Sequence, residues 1–218
     1  MLSFKTLLLI HIIAGFTALT GAIVATATKT LDVPHKWHVY GGTAFVLNMF
    51  VVFISAIPMA VMRSSTFLFL IAIFSFYLTL SGWRYAKNRT GTPRPLDWMT
   101  ASLMAVTSIG MIVFGVKMVV SDDSNGITII VFGAIGAALS FADLQRSCRG
   151  GVKGKERVAS HLKMMLAGTI AAITAFVVTN FNFQPKFVLW LAPTVVIAPV
   201  IVWWSRRIKA GTKPKGMP

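Results

Sequence analysis

The sequence predicts an all-α fold: a polytopic membrane bundle of seven transmembrane helices, N-terminus outside and C-terminus in the cytoplasm. Three observations predict it. Of the 218 residues, 56% are hydrophobic and only 12% are charged, where a soluble domain carries roughly 25% charged residues. The apolar residues fall into seven runs, and about 20 residues of helix suffice to cross a hydrocarbon core. All but four of the 21 Lys and Arg residues sit after the first, third, fifth and seventh runs; the exceptions are Lys5, Arg63, Lys117 and Lys186. Lys and Arg concentrate in cytoplasmic loops, so this alternation orients the chain.

The elements follow in order. Span 1 covers Lys5–Thr28, too long for the apolar core of a signal peptide, and is expected to be retained. A loop, Lys29–Pro34, contains Asp32 and ends at a proline suited to a helix start. Span 2 runs His35–Met62, with Pro58 bending its far end. Arg63-Ser64-Ser65 is a tight turn before span 3, Thr66–Trp83. Gly91, Pro93 and Pro95 mark the next stretch as a loop. Asp97 opens span 4, Trp98–Val120, and the polar turn Ser121–Gly126 leads to a short span 5, Ile127–Leu144. After the basic, Gly-rich loop Gln145–Ala159, Ser160 is a candidate N-cap for span 6, His161–Asn182. Span 7, Lys186–Ser205, contains Pro193 and Pro199. Residues 1–205 form one transmembrane domain, and residues 206–218 form a basic cytoplasmic tail, expected to be mobile.

The net charge of +15 is an orientation signal rather than a nucleic-acid footprint, because it sits in short loops beside apolar spans. There it meets anionic lipid headgroups. The partners are the bilayer and, as an open alternative, further copies of the chain; nucleic acid is not among them. The single Cys148 excludes an internal disulfide. Arg146 and Arg149 flank it, yet it reads as an incidental thiol. Ser160-His-Leu-Lys163 matches Ser-x-x-Lys by coincidence, its companion motifs being absent. The six tryptophans lie mostly near span ends, as interfacial belt residues do.

Small residues indicate which helices pack closely. Ala14, Ala18 and Ala22 repeat at spacing four in span 1, and Ala167, Ala171 and Ala175 do so in span 6. Spans 1 and 6 are therefore expected in the interior, next to one another.

Ionisable residues inside a membrane are costly and invite functional readings. Of the four histidines, His35, His38 and His161 fall at the cytoplasmic edge, and Asp143 ends span 5 at the same depth. Three imidazoles and a carboxylate are a sensible donor set for a divalent metal such as zinc. The alternative is that they are interfacial anchors, with Asp143 paired to Arg146 or Lys163. His11 lies in the outer half of the bundle on the small-residue stripe of span 1. Asn48 and Thr174 are at comparable depth and are its candidate hydrogen-bond partners in a buried polar group. His11 could also ligate haem or relay protons, although a second histidine at that depth is lacking.

The segments HIIAGFTALTGAIVA (11–25), PHKWHVYGGTAFV (34–46), FSFYLTLSGWRY (74–85) and HLKMMLAGTIAAITAFVVTN (161–180) resemble a family of uncharacterised polytopic bacterial membrane proteins that carries a domain of unknown function. The His-x-x-x-Gly and His-x-x-His-x-x-x-Gly blocks are its most distinctive parts. The resemblance implies a bacterial inner-membrane protein with family histidines at His11, His38 and His161. It brings no substrate or catalytic residue. The functional expectation is thus an inner-membrane protein with a His/Asp metal site at its cytoplasmic edge. The alternatives are a haem-binding redox protein, a small-solute transporter or a non-catalytic assembly protein.

Overall fold

The computed structural model describes residues 3–31 and 33–211; Asp32 of the first loop and residues 212–218 of the basic tail lie outside the described residues. The helices are α1 (Phe4–Thr30), α2 (His35–Met62), α3 (Thr66–Lys87), α4 (Pro95–Val120), α5 (Asn125–Cys148), α6 (Gly154–Asn180) and α7 (Phe187–Ala210). All seven are long and apolar enough to cross a membrane. Even α3, with 22 residues, reaches about 33 Å at a rise of 1.5 Å per residue. The chain is a multi-pass membrane protein.

Several helices outrun their apolar stretches. α6 begins at Gly154, so Ser160 is not its N-cap but a buried residue within it. The added turn carries Lys155, Glu156 and Arg157; hydropathy marks where a helix enters lipid, not where its hydrogen bonding starts. α4 begins at Pro95, and Asp97 is its third residue, where its carboxylate accepts the Arg94 backbone N–H at 2.7 Å. Proline at the first position and an acid in the first turn both suit a helix N-terminus. α5 runs on to Cys148, and α7 continues past Ser205 to Ala210.

α3 is the hub, touching α2, α4, α5 and α6, while α1 packs along α2, α4 along α5 and α6 along α7. Phe74, Tyr77 and Leu78 of α3 form the main core with Met104 and Met111 of α4, Ile129 and Phe132 of α5, and Met164 of α6. A second cluster joins Ala18 and Ala22 of α1 to Phe45 and Met49 of α2. Outward-facing Leu103, Val106, Ile109 and Val113 of α4 are exposed, as lipid-facing side chains are.

The small-residue stripe of α1 is buried; it packs chiefly along α2, while Met165 and Ala172 of α6 join the same cluster. A Cβ on Gly21 would lie 2.8 Å from the Gly41 carbonyl oxygen and from the Phe45 nitrogen. Backbone meets backbone there, so only glycine fits. α1 touches α6 over a short stretch, and Ala175 of α6 is exposed. The small residues rightly placed α1 beside α6; that α2 is its main partner was not legible in them. Gly21→Ala is expected to cost about 1–3 kcal/mol, the range for overpacking a close contact, read as a lowered Tm of the detergent-solubilised chain.

The basic loops share one end of the bundle. The Val152 backbone N–H donates to the Gly91 carbonyl at 3.1 Å, tying the α5–α6 loop to the α3–α4 loop. Gly91 and Gly151 meet there with φ of +74° and +94°, a backbone region that favours glycine. Glu156 at the start of α6 pairs with Lys209 at the end of α7, 3.6 Å away. His38 and His161 bring the start of α2 against α6 at this same end.

Candidate functional site

His38 sits in the first turns of α2 and its ring Nδ1 lies 2.8 Å from the carbonyl oxygen of Ala25 in α1. His161 lies two turns into α6, its Nδ1 2.9 Å from the Gly82 carbonyl oxygen in α3. A carbonyl only accepts, so both rings carry a proton on Nδ1 and donate it. In the neutral imidazole Nε2 is then left with a free lone pair. This is the orientation that a metal-ligating histidine adopts when its other nitrogen is held by a backbone carbonyl. The two ring centroids are 6.2 Å apart with planes at 84°.

Both rings line a cavity of about 300 Å³ between α1, α2, α6 and α7. Its walls are apolar, built from Ala22, Phe45, Leu162, Met165, Leu166 and Trp204, and Lys29 stands with the histidines at its polar end. Gly42 also lines it, and a Cβ placed there would meet nothing within 4 Å. The glycine therefore leaves space in the cavity rather than permitting a helix contact.

His35 stacks on His38 at 5.6 Å between centroids. Its Nδ1 is 3.1 Å from Lys29 Nζ. An ammonium only donates, so that nitrogen accepts, and the His35 proton is on Nε2. His35 thus offers no free lone pair.

Asp143 does not join the histidines. It is buried and accepts from the Tyr77 hydroxyl at 2.8 Å, the Tyr85 hydroxyl at 2.7 Å and Arg146 Nη1 at 2.9 Å. Among the described residues no group of three or more His, Cys, Asp or Glu side chains is placed to hold a metal ion. The expected four-donor set of His35, His38, His161 and Asp143 is therefore corrected to the pair His38 and His161. Depth along the membrane put Asp143 level with the histidines, but depth says nothing about which side of α3 a residue faces. The pairing with Arg146 weighed from the sequence is present. Tyr77 and Tyr85 were missed, although their spacing of eight puts them on one face of α3.

The second polar group also differs from expectation. His11 Nδ1 lies 3.0 Å from the Ser55 hydroxyl, which donates its own proton to the carbonyls of Val51 and Val52 at 2.8 and 3.0 Å. Asn48 instead donates to the Ala44 carbonyl at 2.8 Å, and Thr174 lines a separate small cavity with Ile71, Phe132 and Trp190. The register of α1 on α2 carries the missing signal. Gly21 abuts Phe45; ten positions back along α1 and ten forward along antiparallel α2 lead to His11 and Ser55. His11 faces another cavity, of about 980 Å³, at the end away from the basic loops.

Comparison with protein-family models, with curated proteins and with solved structures finds no match to this chain.

Proposed function

We propose that this membrane protein carries a haem-type cofactor between α2 and α6, with His38 and His161 as its two axial ligands, and serves as a one-electron redox carrier. The observation that carries the reading is the pair of imidazoles, each held by an Nδ1–H bond to a backbone carbonyl on a neighbouring helix. The two ring centres are 6.2 Å apart, and the Nε2 atoms of His38 and His161 are the ones that would hold the metal of such a cofactor, which would supply the one-electron chemistry. A zinc site takes three or four protein donors, and among the described residues the pair His38 and His161 has no third beside it. A porphyrin iron brings four equatorial nitrogens of its own and asks the protein for the axial pair. The apolar walls suit a macrocycle, and Lys29 suits its carboxylates.

In this reading the basic end faces the cytoplasm, following the Lys and Arg bias of its loops. Membership of the bacterial inner-membrane family whose histidine blocks the chain resembles belongs to the same proposal. Haemin titrated into the full chain in detergent is expected to bind saturably, one per chain, with a Soret band. Gly42→Phe, which fills the cavity without a backbone clash, is expected to abolish that binding while leaving the Tm of the haem-free chain nearly unchanged. Absence of saturable haemin binding to the unmodified chain sinks the proposal.

A further inference from the structure

A second site lies across α3 from the histidines. Arg84 of α3 is 8% exposed. Its Nε is bound to Asp97 of α4, while its Nη2 is buried with no hydrogen-bond partner. A buried guanidinium nitrogen left unpaired costs free energy comparable to a lost charged hydrogen bond. Arg84 lines a cavity of about 40 Å³ at the basic end, where the α3–α4 and α5–α6 loops meet.

Arg146 and Arg157 line the same cavity. Arg157 reaches it by donating Nη1 to the carbonyls of Tyr85 and Ala86 at 2.6 and 3.2 Å, which leaves its positive charge without a carboxylate among these bonds. Asp97 and Asp143 are the acids on the wall, each already bound by an arginine. The wall itself carries three guanidinium groups and two carboxylates; Glu156, outside the wall, reaches Arg146 Nε only at 4.0 Å. A cavity needs about 10–15 Å³ of such volume per water, so this one, of about 40 Å³, has room for about three to four water-sized groups. That suits the oxygens of one small tetrahedral anion, and guanidinium groups match phosphate oxygens in geometry as well as charge.

We propose that this cavity binds a singly charged phosphate group, held by the guanidinium groups of Arg84, Arg146 and Arg157 on its wall. The group could belong to the headgroup of an anionic lipid, since the cavity sits at the helix ends, or to a free phosphate. The two sources share the recognition chemistry and are separated by experiment.

The full chain is reconstituted in zwitterionic nanodiscs and titrated with inorganic phosphate by calorimetry. In parallel, the detergent-purified chain is examined by native mass spectrometry with phosphatidylglycerol and, as control, phosphatidylcholine. Saturable binding of inorganic phosphate, or selective retention of one phosphatidylglycerol, supports the proposal and identifies the source. Arg84→Lys keeps the charge but removes the fork, and is expected to weaken the binding by at least about tenfold. Ser147→Asp places a carboxylate on the cavity wall without touching the Arg84–Asp97 pair and is expected to do the same. If Arg84→Lys fails to fold, Ser147→Asp alone decides. Binding of neither probe, or binding unaltered in the variants that fold, overturns the proposal and leaves the cavity to water.

Discussion

Under the proposed haem reading, His161→Ala is expected to yield a folded chain that no longer retains haem. The substitution removes one axial nitrogen and the bond from Nδ1 to the Gly82 carbonyl at 2.9 Å. The second loss is structural and small, about 1 kcal/mol for a hydrogen bond of this kind. The first acts on the cofactor, and retention is expected to fall at least about tenfold, equivalent to about 1.4 kcal/mol or more. The two effects separate by rescue. Free imidazole can occupy the vacated axial position and restore the spectrum, but it cannot repair a packing defect. His38→Ala is expected to behave alike, because its imidazole is held in the same way by Ala25. His35→Ala is expected to leave the spectrum in place, its lone pair being engaged by Lys29. A spectrum unchanged in His161→Ala would rule out the paired-imidazole site.

Asp143→Ala is expected to be the most destabilising single substitution at the basic end. The carboxylate is 7% exposed and gathers three donors from α3 and α5. Alanine leaves two tyrosine hydroxyls and the Arg146 guanidinium without their acceptor. Removing one partner of a buried ion pair costs about 3–5 kcal/mol, a large share of a typical total of about 5–15 kcal/mol. Tyr77→Phe removes one donor and leaves the others in place, so about 1 kcal/mol is expected. Thermal unfolding of the detergent-solubilised variants checks both values. A Tm for Asp143→Ala within a degree or two of the unmodified chain would contradict the arrangement. The proposed haem site lies on the other side of α3, so a folded Asp143→Asn chain is expected to bind haemin as the unmodified chain does.

The legible parts of this fold are those that follow from length and charge. Seven apolar runs made seven helices, and the loops rich in Lys and Arg came together at one end. Rotation about a helix axis was not legible in the same way. His35, His38, His161 and Asp143 lie at similar depth, yet α3 stands between the histidine pair and the carboxylate, with Gly82 serving one side and Tyr85 the other. The alanine stripes of α1 and α6 pointed these two helices at each other, and they touch, but α1 packs far more extensively on α2. Gly21 fixes that packing, because its contact with Gly41 sets the register. The same register carries His11 to Ser55 instead of Asn48 or Thr174. Helix starts were hidden wherever a charged turn such as Lys155–Arg157 precedes the apolar stretch.

The paired imidazoles are tested most directly by electron paramagnetic resonance of the oxidised, haem-loaded chain. Two strong-field nitrogen ligands on one iron predict a low-spin ferric signal that turns high-spin in both His38→Ala and His161→Ala. A high-spin signal from the unmodified chain, or a low-spin signal that survives either substitution, would contradict axial ligation by His38 and His161.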